Sequence, residues 1–325
     1  MQKMNTAAHA TRNHTLRPKC RPGAGCALTE TRVQKAPGYA IILSNMREFG
    51  RADRRAAGRR SMDVLDDRFG ALKEWLRAHA PVALAFSGGV DSSFLLAACR
   101  HAGADCMAVT VESVFQSDSE REEARALAGD GNWLRIPVDV LAIEGVRDNP
   151  PDRCYMCKKA IFTTIIERAQ GRTVIDGTNH DDLGDYRPGM RALRELGVKS
   201  PLMELGWSKQ DIREMSRRLG LSTADKPAMA CLATRIAVGE RIEPGKLRAV
   251  DRAESAIVRL GFERVRVRVH GDIARIELDK SMLVKAAAQA GALVEAVKAA
   301  GFRRATLDLE GYSMGSMNVR SVSGQ

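Results

Sequence analysis

The chain has 325 residues, 44% hydrophobic and 28% charged, with a net charge of +11. That length accommodates two domains with separate cores, and the composition is ordinary for a globular protein. No apolar run approaches the roughly 20 residues that span a bilayer, and the basic start lacks the apolar stretch of a secretory leader. A cytoplasmic protein without a membrane anchor is expected.

The charge is unevenly divided. Residues 1–61 hold 13 Lys and Arg against 3 Asp and Glu, leaving 38 against 37 for the rest of the chain. The basicity belongs to an N-terminal segment without sustained periodicity, read as a disordered tail. The remainder is nearly neutral, which disfavours a large nucleic acid as the substrate. Seven cysteines, an odd number, occur in a chain with no sign of export. They argue for metal binding or catalysis rather than a disulfide framework. Cys99 and Cys106 fall in apolar stretches and read as core fillers.

From Asp63 to Ala80, the residues Leu65, Phe69, Leu72, Trp75 and Leu76 repeat at helical spacing. A short apolar run, Val82–Phe86, has the length of a buried strand. Next come the glycine-containing loop Ser87-Gly88-Gly89-Val90-Asp91-Ser92-Ser93 and a helix over Ser92–His101. A strand (Asp105–Val111), a charged helix (Ser119–Ala128) and a strand (Asn132–Val138) continue the alternation, followed by a helix (Tyr155–Ala169) and a strand (Thr173–Asp176). Such alternation predicts an α/β fold, a parallel sheet with helices on both faces. A further helix starts at Ser208 and stops near Gly220. Beyond about residue 240 the pattern becomes helix (Gly245–Leu260), strand (Val265–Val269), strand (Ala274–Leu278), helix (Ser281–Ala300) and strand (Arg304–Leu309). Gly271-Asp272 forms the hairpin turn. The expected organisation is a tail (1–61), a parallel-sheet domain (62–239) and a smaller α+β domain (240–318).

A strand, SGGVDSS and a helix in succession suit a phosphate chain. Gly88 and Gly89 permit close backbone approach, and the helix start presents free N–H groups to an anion. Ser87, Ser92 and Ser93 add hydroxyls, and Asp91 is a hard oxygen ligand for Mg²⁺. The chain lacks G-x-x-x-x-G-K-[ST] with its phosphate lysine. The loop instead resembles the PP-loop of ATP pyrophosphatases, which implies adenylation of a substrate with release of pyrophosphate. Glu112, at the end of the second strand, and Gly177 with Thr178, at the end of the fourth, are expected to complete the ATP site. Asp181, Asp182 and Asp185 follow closely.

Cys154 and Cys157 form a CxxC, and Cys231 lies between the two expected domains. Three thiolates suit zinc with one open position, or a 4Fe–4S cluster with one iron free of protein ligands. Alternatively Cys231 alone donates sulfur, its thiolate favoured by nearby Arg235.

Four stretches together resemble the LarE family of ATP-dependent sulfur transferases: SGGVDSS, the CxxC, residues 177–189 (Gly177-Thr178-Asn179 through Pro188-Gly189) and Cys231-Leu232-Ala233-Thr234-Arg235-Ile236. The resemblance covers roughly residues 62–318. It implies adenylation of a carboxylate on a pyridinium bis-carboxylate mononucleotide, a small-molecule substrate. Sulfur then displaces AMP to give a thiocarboxylate of the nickel-pincer nucleotide used in lactate racemase maturation. It further implies a 4Fe–4S cluster on Cys154, Cys157 and Cys231, or Cys231 as sacrificial sulfur. A homo-oligomer and a cluster or sulfide donor are also implied. By similarity Glu254, Arg266 and Arg268 bind a phosphate or metal near the substrate. Arg187, Thr234 and Arg235 are further substrate candidates. Competing expectations are a tRNA thiolase, an ammonia-using synthetase and a non-enzymatic nucleotide-binding scaffold.

Overall fold

The computed structural model describes residues 64–129, 131–184, 188–227 and 230–313. The expected tail therefore lies outside the described residues. So do Asp185, Tyr186 and Arg187 of the resemblance stretch.

The first element is helix α1 (64–78), and its apolar repeat becomes one buried face: Leu65, Phe69, Leu72 and Leu76 are all buried. Four strands follow: β1 (Val82–Ala85), β2 (Cys106–Glu112), β3 (Trp133–Pro137) and β4 (Thr173–Ile175). They pair only in parallel, in the order β3-β2-β1-β4. The central strand β1 reads Val-Ala-Leu-Ala because helices cover both of its faces, which removes the polar alternation of a half-exposed strand.

Helix α2 (Val90–Ala102) leaves the loop after β1, and ten of its thirteen residues are buried. Phe94 on α2 meets the ring of Trp207 at 4.9 Å and that of Phe69 at 6.0 Å. Each fully buried side chain of this size stabilises the fold by about 1.5–3 kcal/mol. Helix α3 (Asp118–Ala128) starts on a capping box between Ser117 and Glu120 and buries only Ala124 and Ala128. Helix α4 (Arg153–Arg168) carries the CxxC in its first turns. Two helices that the sequence reading did not anticipate, α5 (Pro188–Glu195) and α6 (Pro201–Glu204), follow β4. Helix α7 (Lys209–Arg218) has the N-cap Ser208, closed by a capping box with Asp211.

The second sheet has the order β5-β6-β7, with β5 (Val265–His270) antiparallel to β6 (Ile273–Leu278) and β7 (Arg304–Leu307) parallel to β6. The expected turn joins β5 to β6, where His270 pairs with Ile273. Helix α8 (Pro244–Arg259) precedes this sheet. The single helix expected over 281–300 is broken into α9 (Leu283–Ala288) and α10 (Ala290–Ala299). At the break, the Gln289 N–H bonds to the carbonyls of both Lys285 and Ala286, the tightened geometry of a helix end. The described residues group as one compact unit. One apolar cluster joins Phe115, Val140, Leu141 and Val146 to residues from 232 to 302.

Candidate functional site: a nucleotide cleft with a thiol wall

Strand order locates the site. The chain runs from β1 outward to β2 and β3, then returns to the opposite side of β1 for β4. The loops at the carboxyl ends of β1 and β4 therefore part at a topological switch point, where open α/β sheets bind ligands. A cleft of about 780 Å³ opens there.

The cleft is lined by Ser87, Gly89, Asp91, Ser92, Gly177 and Thr178 among the expected nucleotide residues. Gly88 adopts φ +69°, and a Cβ there would stand 3.0 Å from Ala124 on α3. Only glycine satisfies both constraints. A Cβ on Gly177 would lie 3.1 Å from the Ser92 nitrogen and 3.2 Å from the Asp91 Cβ, so the β4 loop rests against the first turn of α2. Asp176 holds that loop in place. Its carboxylate accepts from the Thr178 hydroxyl (2.5 Å), the Thr178 N–H (3.2 Å) and the Ser200 hydroxyl (2.6 Å).

Asp91 is half-buried, and burial pushes its carboxyl above the usual range while the Lys209 ammonium opposes the shift. Its Oδ2 accepts from Lys209 Nζ at 2.5 Å, whereas Oδ1 is buried without a hydrogen-bond partner. An orphaned hard oxygen beside a phosphate-sized loop fits a Mg²⁺ ligand. Lys226 also lines the cleft. Its Nζ donates to the Gly88 carbonyl at 3.0 Å and pairs with Glu123 at 2.5 Å. Sequence reasoning missed both lysines, which come from α7 and the segment beyond it. The signal available was the missing loop lysine, because a cation has to reach the phosphates from elsewhere.

Ser93, Gly88 and Glu112 do not line the cleft. Ser93 is one helical step, about 100°, beyond Ser92 and faces a smaller cavity alongside Thr223. Glu112 accepts from Arg135 at 3.3 Å.

Cys154, Cys157 and Cys231 all line the same cleft as the loop. Burial, followed by the neighbouring Cys231, pushes the Cys157 thiol up to about 12. Burial likewise raises Cys231, with Arg153 opposing. Among the described residues no group of three or more His, Cys, Asp or Glu is arranged to hold a metal ion. The donor chemistry nevertheless suits an iron–sulfur cluster, because three soft thiols line one cleft.

The expected substrate residues that the structure describes, Thr234, Arg235, Glu254, Arg266 and Arg268, lie outside the cleft lining, in a largely buried polar network. Arg235 donates from Nε and Nη2 to both oxygens of Glu254, each at 2.9 Å. Its Nη1 reaches the Ala230 carbonyl (2.6 Å) and the Cys231 carbonyl (3.1 Å). Arg268 binds Glu277 at 2.9 Å and the Thr234 carbonyl at 2.9 Å. Arg266 is buried beside them and donates to the Val265 carbonyl at 2.8 Å. The strand alternation placed Arg266 and Arg268 on one face, as expected, but that face is covered. The Arg235 side chain is 1% exposed and that of Glu254 13%. Removing one partner strands a buried charge. Glu254→Ala should therefore lower unfolding free energy by about 3–5 kcal/mol. A urea titration showing a loss below about 1 kcal/mol would be the signature of a surface pair instead.

A parallel sheet that feeds SGGVDSS onto a helix start, with an acidic residue and two lysines facing the loop, defines an ATP-using enzyme of the PP-loop, ATP pyrophosphatase class. A family model described as asparagine synthase matches residues 65–140. Over 266 residues the chain is 38% identical to an uncharacterised protein of Synechocystis, covering 78% of this chain and 98% of the relative. It is 34% identical over 262 residues to the pyridinium-3,5-bisthiocarboxylic acid mononucleotide synthase of Lactiplantibacillus plantarum, covering 78% and 94%. It is 28% identical over 194 residues to the tRNA-specific 2-thiouridylase of Azorhizobium caulinodans, covering 46% and 50%. The chain belongs to the LarE family of ATP-dependent sulfur transferases, the family of the Lactiplantibacillus enzyme.

Proposed function

We propose that the chain adenylates a carboxylate of a pyridinium bis-carboxylate mononucleotide and converts it to a thiocarboxylate, a step toward a nickel-pincer nucleotide. The observation that carries this reading is the presence of the phosphate loop and three cysteines on the walls of one cleft.

A carboxylate is a poor electrophile, so its oxygen first attacks the α-phosphorus of ATP and pyrophosphate leaves. Loop amides from Ser87 to Ser93, Lys209 and Lys226 stabilise charge on the departing pyrophosphate. Asp91, through its unpartnered oxygen, would hold Mg²⁺, which neutralises phosphate charge when bound. Sulfur then attacks the activated carbonyl and AMP departs. If Cys231 is the source, its sulfur forms a thioester. Loss of the Cα proton with cleavage of the Cβ–Sγ bond then leaves dehydroalanine and the thiocarboxylate. Cys154, Cys157 and Cys231 would alternatively hold a 4Fe–4S cluster, which supplies an open iron for exogenous sulfide. Zinc is the other metal that suits the trio.

The buried arginines around Glu254 and Thr234 are assigned to the substrate phosphate on the strength of family resemblance, with residues 240–318 as the substrate and oligomerisation domain. A homo-oligomer, a cluster or sulfide donor and a cytoplasmic setting complete the reading. Among the described residues no helix is long and apolar enough to cross a membrane.

The test supplies anaerobic protein with the mononucleotide, ATP and Mg²⁺ and follows the products by mass spectrometry. The expected product exchanges carboxylate oxygen for sulfur. Amide formation from ammonia, or thiolation of tRNA in place of the mononucleotide, would replace this reading.

A further inference from the structure

Arg153 is the first residue of α4 and is 7% exposed, yet it forms no ion pair with a carboxylate among the described residues. Its guanidinium donates to Asn149 Oδ1 at 2.5 Å and to the Ala233 carbonyl at 3.1 Å, and it lies 3.7 Å from Cys154 Sγ. None of these partners is a carboxylate, and the guanidinium also lies 5.9 Å from the centre of the Phe115 ring. The first turn of a helix is an unfavourable place for a cation, and the acidic residue at this end, the N-cap Asp152, makes no ion pair with Arg153. A buried guanidinium so placed is costly and needs a return.

The return is visible in what Arg153 joins. Ala233 belongs to the short turn Leu232–Arg235 that follows Cys231. Among the described residues Arg153 is the α4 side chain that hydrogen-bonds to this turn. Asn149, its other partner, donates to the carbonyls of Ile236 (3.3 Å) and Ala237 (2.7 Å). The Gly239 N–H returns to the Asn149 carbonyl at 2.8 Å. Arg153 and Asn149 thus lace the helix bearing Cys154 and Cys157 to the segment bearing Cys231. From the other side Arg235 grips the Ala230 and Cys231 carbonyls.

We propose that Arg153 is the positioning residue that keeps Cys231 in the cleft lined by Cys154 and Cys157, so that the three sulfurs can draw together around a metal or metalloid when one binds. The inference rests on the three-cysteine reading above and adds the residue that enforces it. Its geometry is independent of ATP, so it can be read on the metal-free full-length chain with inorganic arsenite. Arsenite, As(OH)₃, reacts with three thiols to form three As–S bonds, and the three thiol protons leave with the three hydroxides as water. No electrons are exchanged.

In the wild-type chain one arsenic should protect Cys154, Cys157 and Cys231 together from alkylation, as mapped by peptide mass spectrometry. In Arg153→Ala, and in Arg153→Gln, whose amide is too short to bridge to Ala233, Cys231 should alkylate freely while Cys154 and Cys157 stay protected. Apparent arsenite affinity should fall about tenfold or more. Arg153→Lys retains a donor for the Ala233 carbonyl and should restore protection of Cys231. A general loss of structure would expose all three cysteines alike, so selective release of Cys231 distinguishes positioning from folding. Wild-type protection of Cys231 in either the Ala or the Gln variant, folded by circular dichroism, would overturn the proposal. Wild-type arsenic captured by Cys154 and Cys157 alone would instead overturn the three-cysteine reading beneath it.

Discussion

Asp91→Ala should abolish AMP formation, with a fall in kcat of roughly 10²–10³-fold or more. Asp91 is the second residue of α2, so helix geometry aims it at the space where the phosphate chain meets the free N–H groups of the loop. One of its oxygens is engaged by Lys209 and the other is buried without a partner. Substitution by alanine removes the metal-directed oxygen and frees Lys209 at once. Asp91→Asn, which keeps the shape and loses the charge, should be nearly as inactive. Neither change should unfold the protein. Burial raises the carboxyl above its usual range, so the ionised side chain at neutral pH opposes folding. The thermal midpoint of Asp91→Ala should therefore equal or exceed that of the wild type, a pattern typical of residues kept for activity at the expense of stability. AMP formation within tenfold of wild type would remove Asp91 from the site.

Cys231→Ala should eliminate thiocarboxylate formation while leaving adenylation intact. Cys231 lines the same cleft as the loop but contributes to none of the loop's hydrogen bonds among the described residues. The nucleotide half-reaction, read as ATP–pyrophosphate exchange, should stay within a few-fold of wild type, whereas sulfur transfer should drop below detection. The same cysteine separates the two sulfur sources. A chain that has turned over and lost the Cys231 sulfur, leaving dehydroalanine, used itself as donor. An intact Cys231 in a brown, iron-containing protein identifies the cluster route. If sulfur transfer persists in Cys231→Ala, neither source applies.

Local chemistry was legible in the sequence and long-range convergence was not. SGGVDSS could be read because strand, glycine turn and helix start are contiguous, and the structure keeps that order from Val82 to Ala102. The parallel sheet followed from the same kind of signal, an apolar run of strand length alternating with amphipathic helices. Ser93 shows the limit of motif reading. It belongs to the motif, but the 100° step of a helix turns it from the cleft that Ser92 faces.

Lys209, Lys226, Asp176 and Arg153 were illegible for a different reason. The first three matter because β4, α7 and the segment before Cys231 fold back on β1, and Arg153 because the turn after Cys231 returns to the start of α4. Arg266 and Arg268 occupy one strand face as the period of two demands, but sequence could not reveal that this face is buried. Glu277, opposite Arg266 in the β5–β6 register and wholly buried, bonds Arg268. The split of the last helix at Gln289 lies in an alanine-rich run whose one weak helix former, Gly291, sits two residues beyond the break.

The central claim is that the loop between β1 and α2 holds the phosphates of ATP while the bond between the α and β phosphorus atoms breaks. The direct measurement follows ATP labelled separately at its α and γ phosphates, incubated with the pyridinium mononucleotide and Mg²⁺. The predicted result is α label in AMP and γ label in pyrophosphate, with both lost in Asp91→Ala. Recovery of α label in ADP and γ label in orthophosphate would contradict the account.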